Sequence, residues 1–285
     1  MTKTYAHPEV LVSTDWVDKH KADKNMRLVE VDVDTSAYEQ GHIPGAVGWN
    51  WQSQLCDNIR RDVLTKAEFA KLMTASGIRK ETTVVLYGDN NNWFACYAFW
   101  QMKLYGHKNA CIMNGGRKLW QAQNRPFTKK VPKYSPTPYV ASDPDTSLRA
   151  FREDVMAAIK ESKFNLVDVR SSDEYSGKVI APPGMNETAQ RGGHIPTAHN
   201  VPWALAVNED GTFKEHDALL EVYRDRGVTP YDNTIAYCRI GERSAHSWFV
   251  LKYLLGYPSV KNYDGSWTEW GNLVNAPIAK GDRPV

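Results

Sequence analysis

The sequence predicts an α/β protein made of two similar domains, each a parallel sheet flanked by helices. Three observations support this prediction. Short runs typical of strands alternate with runs that carry apolar residues at helical spacing, and such alternation is typical of a parallel sheet covered by helices. The same order of elements occurs twice, at a spacing of about 150 residues. A length of 285 residues suits two domains of ordinary size.

The elements of the first half follow one another in a regular order. A short strand at Leu11 and a capped helix to His20 precede an alternating strand at residues 27–33. The run Gly41-His42-Ile43-Pro44 then bends the chain, because Gly and Pro so close together are typical of turns. The later elements are a helix at 65–76, a strand at 83–87, a helix at 91–105, a strand at 110–113 and a helix that begins GGRKLW.

Each of these features returns in the second half. FNLVDV at 164–169 repeats the early strand, and Gly193-His194-Ile195-Pro196 repeats the bend. A helix at 217–227, a strand at 234–237 and the segment NYDGSW repeat the later elements. Five prolines between Arg125 and Leu148 indicate an extended connection. We therefore predict one domain over residues 1–127, a proline-rich linker over 128–147 and a second domain over 148–285.

The composition excludes several classes of function. A net charge of +2 without a basic run argues against nucleic acid or membrane binding. The four cysteines are far apart, without C-x-x-C or histidines at ligand spacing, so we predict no metal site and no cofactor. The first residues, MTKTYAHPEVLVS, lack the apolar run of a signal peptide or membrane span, and we expect a cytoplasmic protein with reduced thiols.

One cysteine stands where a predicted strand meets a predicted helix. The residues TIAYC, ending at Cys238, resemble a buried strand, and SAHSWFVLKYLLG resembles a helix with a glycine stop. In so tight a turn, backbone N–H groups have neither strand nor helix partners and can converge on the cysteine sulfur. The loop residues predicted to supply this backbone are Ile240, Gly241, Glu242 and Ser244.

Two arginines, Arg239 and Arg243, flank the turn, and the positive end of the following helix adds to their field. These charges favour a thiolate, so we predict a pKa of roughly 3.5 to 7.5 for Cys238 and a role as an ionised nucleophile. The alternative is an inert, buried strand cysteine, which would have no need of two nearby arginines. Glu242 either faces solvent or pairs with an arginine, and both orientations remain open.

Other polar residues are predicted to be structural. The bend occurs in both halves, but only the second half has the cysteine, because Gly88 stands opposite Cys238. We therefore predict structural roles for His42 and His194, and likewise for His246 in the helix after the loop. Asp168 and Arg170 are expected to form an internal ion pair, and Asp264 to cap the helix that follows it.

The segments CRIGERS, from Cys238 to Ser244, and NYDGSW resemble the active-site loop and C-terminal motif of the two-domain rhodaneses, the thiosulfate sulfurtransferases. The likeness extends over nearly the whole chain. It implies tandem rhodanese-like domains, of which the first has no nucleophile and closes one side of the active-site cleft. It also implies that a basic residue near the second bend, here Arg191, reaches the substrate anion.

The resemblance implies sulfur transfer. The Cys238 thiolate would attack the sulfane sulfur of thiosulfate, release sulfite and pass the sulfur from a persulfide to cyanide, a thiol or a thioredoxin-like protein. Arg239 and Arg243 would bind the departing sulfonate, and a monomer would suffice. Three alternatives remain: 3-mercaptopyruvate sulfurtransferase, a non-catalytic binding module, and a cysteine phosphatase, which needs an arginine at the position that Ser244 occupies.

Overall fold

The chain divides into two compact units, as seen in a computed structural model that describes residues 4–161, 164–184 and 189–283. The N-terminal unit holds Pro8–Asp145 and Asn208–Phe213. The C-terminal unit holds the described residues of Met1–His7, Thr146–Val207 and Lys214–Val285. Both units are α/β structures, in agreement with the fold class predicted from the sequence.

Parallel strands form the sheet of the N-terminal unit. The strands are β1 (Leu11–Val12), β2 (Met26–Asp32), β3 (Val47–Asn50), β4 (Cys56–Asp57), β5 (Asp62–Val63), β6 (Thr83–Tyr87) and β7 (Ala110–Met113). Five of them pair in the order β1-β7-β6-β2-β3, with every pairing parallel. β4 and β5 form a separate antiparallel ribbon.

The helices described in the N-terminal unit are α1 (Thr14–His20), α2 (Ser36–Gln40), α3 (Trp51–Gln54), α4 (Lys66–Ala75), α5 (Trp93–Leu104) and α6 (Gly116–Ala122). Three of them, α1, α3 and α4, begin at a side-chain cap. The Ser13 hydroxyl accepts a hydrogen bond from the Trp16 N–H at 3.1 Å, which starts α1. Thr65 and Glu68 form a capping box at the start of α4, so the helix predicted at 65–76 is confirmed.

The C-terminal unit repeats this plan with fewer strands. Its helices are α7 (Arg152–Ala158), α8 (Ser172–Ser176), α9 (His216–Arg224), α10 (Glu242–Phe249) and α11 (Ser266–Trp270). Its strands are β8 (Phe164–Asp168), β9 (His199–Asn200), β10 (Asn233–Tyr237) and β11 (Val260–Tyr263). They pair in the order β11-β10-β8-β9, again all parallel. The predicted parallel sheets are therefore confirmed in both units.

The helix after the cysteine differs from its prediction. We predicted a helix from Ser244 to Leu255, but α10 runs from Glu242 to Phe249, and a π-helix over Val250–Leu254 follows it directly. A π turn inserts an extra residue into the hydrogen-bonding period, which apolar spacing alone does not reveal. The earlier start brings Glu242 into the first turn of the helix.

Equivalent aromatic residues fill the two cores. Tyr87 and Trp120 are fully buried in the N-terminal unit, as are Tyr237 and Trp270 in the C-terminal unit. The Tyr87 hydroxyl accepts the Ile43 N–H at 3.1 Å, and the Tyr237 hydroxyl accepts the Ile195 N–H at the same distance. In both units, a hydrogen bond therefore joins the Gly-His-Ile-Pro bend to the tyrosine at the end of the strand, which agrees with the occurrence of the motif in both halves.

Each unit contains a buried ion pair between a strand carboxylate and an arginine. In the C-terminal unit, Arg170 donates to Asp168 with a shortest separation of 2.6 Å, and both side chains are fully buried. This confirms the predicted internal pair. In the N-terminal unit the carboxylate is Glu30, and its cation is Arg117 on α6, also at 2.6 Å. The carboxylates occupy corresponding strands, but the arginines come from different elements.

The proline-rich segment runs along the N-terminal unit. Thr128 forms an antiparallel bridge with His42, and the Tyr134 hydroxyl donates to the Gly45 carbonyl at 2.8 Å. The guanidinium of Arg27 lies 3.1 Å from the centre of the Tyr134 ring. The predicted boundaries of the linker, 128–147, stay a prediction.

Among the described residues, no helix is both long enough and apolar enough to cross a bilayer.

Candidate active site

Cys238 directly follows β10 and is held by the backbone and side chains around α11. Cys238 is 0% exposed to solvent. Its N–H donates to the Ser266 hydroxyl at 3.0 Å, and its carbonyl accepts the Trp267 N–H at 3.1 Å. Ser266, which the sequence reasoning missed, has a positive φ of 52°. Its place in the repeat, opposite Gly116, is the signal that could have identified it.

The loop after Cys238 turns back on the sulfur. The Gly241 N–H donates to Cys238 Sγ at 3.1 Å, as a cradle of backbone donors requires. Gly241 has a φ of 107°, and a Cβ at this position would lie 2.9 Å from the Asp264 Cβ. Both facts require glycine there. The Ser244 hydroxyl donates to Asn262 Oδ1 at 2.6 Å and thereby ties the loop to β11.

Arg243 is engaged by a carboxylate that the sequence reasoning missed. Its two terminal nitrogens donate to the Glu174 carboxylate at 2.9 and 3.1 Å. Both side chains are almost completely buried. Glu174 also completes a capping box with Ser171 at the start of α8. The Ser-x-x-Glu pattern in the sequence could have identified the cap, but not the contact with Arg243.

Glu242 faces inward, which resolves the orientation that the sequence left open. Glu242 is only 1% exposed to solvent. The Cys238 thiol donates to Glu242 Oε2 at an Sγ–Oε2 distance of 3.4 Å. The other carboxylate oxygen, Oε1, lies 3.7 Å from Arg243 Nε. A negative charge therefore lies directly beside the cysteine sulfur.

The pKa of Cys238 is shifted in the direction opposite to our prediction. Burial raises the pKa of this thiol above its ordinary value of 9.0, and the charge of Glu242 raises it further. Arg243 and hydrogen bonds from Ser244 act against these effects but do not outweigh them. The predicted lowered pKa is therefore wrong for this structure. Residue spacing reveals the two arginines, but not the burial of the sulfur or the direction in which Glu242 points.

The other two arginines predicted to bind substrate have different surroundings. Arg239 is 5% exposed, and its carbonyl accepts the Thr268 N–H at 3.0 Å. The Arg191 guanidinium donates to four backbone carbonyls, those of Trp270, Gly271, Leu273 and Ala276, at 2.6–3.1 Å. This arrangement stabilises the end of α11 and favours a structural role. Substrate contacts by Arg191 and Arg239 stay predictions.

Two further sequence predictions have different outcomes. His194 stacks on Tyr175 with ring centroids 3.6 Å apart and contacts its carbonyl at 2.9 Å, which agrees with a structural role. Asp264 does not cap α11, because its carboxylate accepts two hydrogen bonds from Arg149, at 2.8 and 2.9 Å. The residue before α11 is Gly265. The prediction that Asp264 caps the helix is thus wrong, because its carboxylate instead pairs with Arg149, which is distant in sequence.

The corresponding loop of the N-terminal unit is filled by a side chain. The Asn92 amide oxygen accepts the Gly88 N–H at 3.0 Å, and the amide nitrogen donates to the Met113 carbonyl at 2.9 Å. Gly116 has a φ of 55°, and a Cβ there would lie 2.5 Å from Asn92 Oδ1. The two units therefore satisfy the N–H after the central strand differently, with Asn92 in one and Ser266 in the other.

Within the described part of the chain, no group of three or more histidine, cysteine, aspartate or glutamate residues is arranged to hold a metal ion. Two cysteines of the N-terminal unit, Cys96 and Cys111, are buried as Cys238 is. Burial raises the pKa of Cys96 well above its ordinary range and that of Cys111 to about 12.

Glu174 should make the C-terminal unit sensitive to acid. Burial raises the pKa of this carboxyl, but the hydrogen bonds and charge of Arg243 outweigh burial and hold the pKa below 4.5. A carboxyl with a lowered folded-state pKa contributes stability above its unfolded-state pKa, and that contribution is lost as the pH falls through the folded-state value. Below about pH 4.5, we expect the free energy of unfolding to fall more steeply in the parent than in Glu174→Gln.

The measurement is urea denaturation of both proteins at a series of acidic pH values. Only the slopes of stability against pH are compared, so a constant difference in stability between the two proteins does not matter. Equal slopes would contradict the role of the Glu174 carboxylate.

The chain is similar to known proteins along most of its length. A family model described as a rhodanese-like domain matches residues 13–123 and residues 151–273. The "Sulfur carrier protein TtuD" of Thermus thermophilus is 56% identical over 283 residues, covering 98% of this chain and 99% of that protein. A "Putative thiosulfate sulfurtransferase" of Haloferax volcanii is 55% identical over 279 residues, covering 96% of this chain and 97% of that protein.

A solved structure has a similar fold. SseA from Escherichia coli, described as a 3-mercaptopyruvate sulfotransferase with the "Rhodanese" fold, aligns with a TM-score of 0.78 at 25% sequence identity. The alignment covers 90% of this chain and 98% of SseA.

Proposed function

Since the chain belongs to the rhodanese family, we propose that it is a thiosulfate sulfurtransferase in which Cys238 carries the transferred sulfur. The observation that carries this proposal is the Gly241 N–H, which donates to Cys238 Sγ at 3.1 Å. A backbone donor aimed at the sulfur stabilises negative charge on it, and both a thiolate and a persulfide bear such charge.

The reaction has two steps. The Cys238 sulfur forms a bond to the sulfane sulfur of thiosulfate, the S–S bond of the donor breaks, and sulfite leaves with the electron pair. A thiophilic acceptor then attacks the outer sulfur of the persulfide and releases the cysteine. Cyanide, a low-molecular-weight thiol or a thioredoxin-like protein is suited to this step. The relative that is named a sulfur carrier supports delivery to another protein.

Arg239 and Arg243 are the cations assigned to the sulfonate of the donor. Arg243 retains its charge at any physiological pH, and Glu174 fixes its position by two hydrogen bonds. Arg191 is assigned a weaker part, because its donors already bind four carbonyls. A doubly charged inorganic donor suits two arginines better than a monocarboxylate does.

The two halves of the chain have different roles in this proposal. The second domain, predicted over 148–285, contains the nucleophile and performs catalysis. The first, predicted over 1–127, has Gly88 opposite Cys238 and an Asn92 amide within the loop. We assign it a supporting role without chemistry of its own, in a protein that acts as a cytoplasmic monomer.

A second candidate function is 3-mercaptopyruvate sulfurtransfer. It is favoured by the likeness to SseA, which is described as a 3-mercaptopyruvate sulfotransferase. The same cysteine would carry the sulfur, so only the donor distinguishes the two functions. Initial rates with thiosulfate and with 3-mercaptopyruvate, measured side by side, decide between them.

The experiment that tests the proposal is intact mass spectrometry after incubation with thiosulfate. We expect the parent to gain one sulfur atom and to lose it again when cyanide is added. Cys238→Ser should gain none, because it has no sulfur to form the persulfide. Cys56→Ser, which changes a cysteine of the N-terminal unit, is the matched control and should behave as the parent does. A sulfur gain that persists in Cys238→Ser would contradict the assignment.

A further inference from the structure

Glu242 occupies a position that the transfer of sulfur leaves unexplained. It is the first residue of α10 and is 1% exposed. A carboxylate at this end of a helix is favoured by the helix dipole. One of its oxygens accepts the Cys238 thiol at 3.4 Å, and the other lies 3.7 Å from Arg243 Nε. As a fixed charge it would oppose both a thiolate and a dianionic donor.

The thiol needs a proton acceptor. Burial and the charge of Glu242 raise the pKa of Cys238, and only the thiolate is an effective nucleophile. The Gly241 N–H is a donor and cannot take the proton. Burial lowers the pKa of His246 to about 3, which makes its imidazole a weak base. Glu242 Oε2, by contrast, already accepts the thiol hydrogen.

We propose that Glu242 is the general base of the reaction and takes the Cys238 proton as the sulfur donor is attacked. This rests on the proposed function. The proton passes from Sγ to Oε2, and the electron pair of the S–H bond forms the new bond to the sulfane sulfur. The S–S bond of thiosulfate breaks, and its electron pair leaves with sulfite. When cyanide removes the outer sulfur as thiocyanate, Glu242 returns the proton to the Cys238 thiolate.

The proton transfer keeps the charge of the buried site constant. Before it, the negative charge is on the Glu242 carboxylate, and after it that charge is on sulfur, within reach of the Gly241 N–H. Creating an additional charge in a buried site costs far more than moving one over a short distance. Arg243 stays balanced by Glu174 throughout. The step therefore removes the repulsion that an ionised Glu242 would exert on a thiolate.

Several charged groups influence this pair and its dependence on pH. Arg243 lies on the same helix, and Glu174 on α8 faces it from the other side. Asp264, whose backbone and Cβ lie against Gly241, is paired with Arg149.

The test compares Glu242→Gln with the parent in two measurements. The first is single-turnover formation of the persulfide from thiosulfate at pH 7, followed by rapid quench and intact mass. The second is alkylation of Cys238 by iodoacetamide as a function of pH, without any sulfur donor. We expect Glu242→Gln to be about 100-fold slower in both near neutral pH. The alkylation rate should approach that of the parent at high pH, where hydroxide removes the proton.

Glu153→Gln is the matched control, because Glu153 also lies in the first turn of a helix of the same unit but is exposed. It should behave as the parent does. A Glu242→Gln variant that reacts as fast as the parent, or faster, would overturn the proposal, because Glu242 would then only repel the thiolate. Circular dichroism identifies a variant that has not folded. If Glu242→Gln does not fold, the single-turnover rate of the parent in D₂O is compared with its rate in H₂O. A slower single turnover in D₂O supports proton transfer in the step, and an unchanged rate contradicts it.

The two measurements separate this inference from the proposed function. If the parent forms no persulfide with thiosulfate, the donor assignment fails. The alkylation profiles of the parent and Glu242→Gln still report whether Glu242 takes the thiol proton, because iodoacetamide is not a sulfur donor.

Discussion

Arg243→Ala is expected to lower the free energy of unfolding by about 3–5 kcal/mol and the thiosulfate turnover efficiency by roughly ten- to a hundredfold. The loss of stability follows because Glu174 would remain buried without the guanidinium that now donates to both of its oxygens. The loss of activity follows from the proposed function, in which Arg243 is one of the two cations assigned to the sulfonate. Urea denaturation and steady-state kinetics measure the two effects.

Two further variants separate these effects. Arg152→Ala removes an exposed arginine that also pairs with a glutamate, and it should leave the free energy of unfolding almost unchanged, because solvent screens an exposed pair. The double variant Arg243→Met, Glu174→Leu removes both charges, and we expect it to recover part of the lost stability. It should not recover activity. Full thiosulfate activity in any folded variant without Arg243 would contradict its role at the sulfonate.

Asp168→Ala is expected to have a stability effect of similar size, about 3–5 kcal/mol, without removing any group from the cysteine loop. Asp168 and Arg170 are both 0% exposed, and the carboxylate accepts from Nε and Nη2 of the guanidinium. Its removal leaves a cation buried in the C-terminal unit. The measurements are urea denaturation and hydrogen exchange of the β10 amides, because β10 pairs directly with the strand that ends at Asp168.

The chain offers a closely matched control for this variant. Asp225 pairs with Arg224 at 3.3 Å, but these side chains are 62% and 61% exposed. Asp225→Ala should therefore change the free energy of unfolding by less than about 1 kcal/mol. A comparable cost for the two substitutions would mean that burial of Arg170 does not determine the stability of the unit.

Most of the fold could be predicted from local patterns. The strand at Thr83–Tyr87 has the predicted bounds, and α4 begins and ends within one residue of its prediction. Each rests on a signal that acts over a few residues, namely an uncharged β-branched run for the strand and a glycine stop for the helix. The π turn at Val250–Leu254 could not be predicted this way, because apolar spacing does not reveal a change in the hydrogen-bonding period of a helix.

The candidate site could be predicted only in part. A cysteine between a buried strand and a helix identified the loop, and the Gly241 N–H lies where the turn predicted a donor. The pKa of Cys238 could not be predicted, because it depends on burial and on Glu242 as well as on the number of arginines. The partner of Arg243 lies 69 residues away in sequence, beyond the reach of any local pattern.

The sequence by itself determined the two α/β units, the order of their elements and the position of the cysteine. Hydrophobic periodicity, helix-stop residues and the internal repeat can all be seen in the order of the residues alone. The tertiary structure alone decided which charged groups meet around Cys238 and which groups Arg191 binds. In the folded protein Glu242 accepts a hydrogen bond from the Cys238 thiol, and Arg243 donates to Glu174. Arg191 donates to backbone carbonyls at the end of α11. Charges act through space, and their effect depends on burial and separation, which residue spacing does not specify.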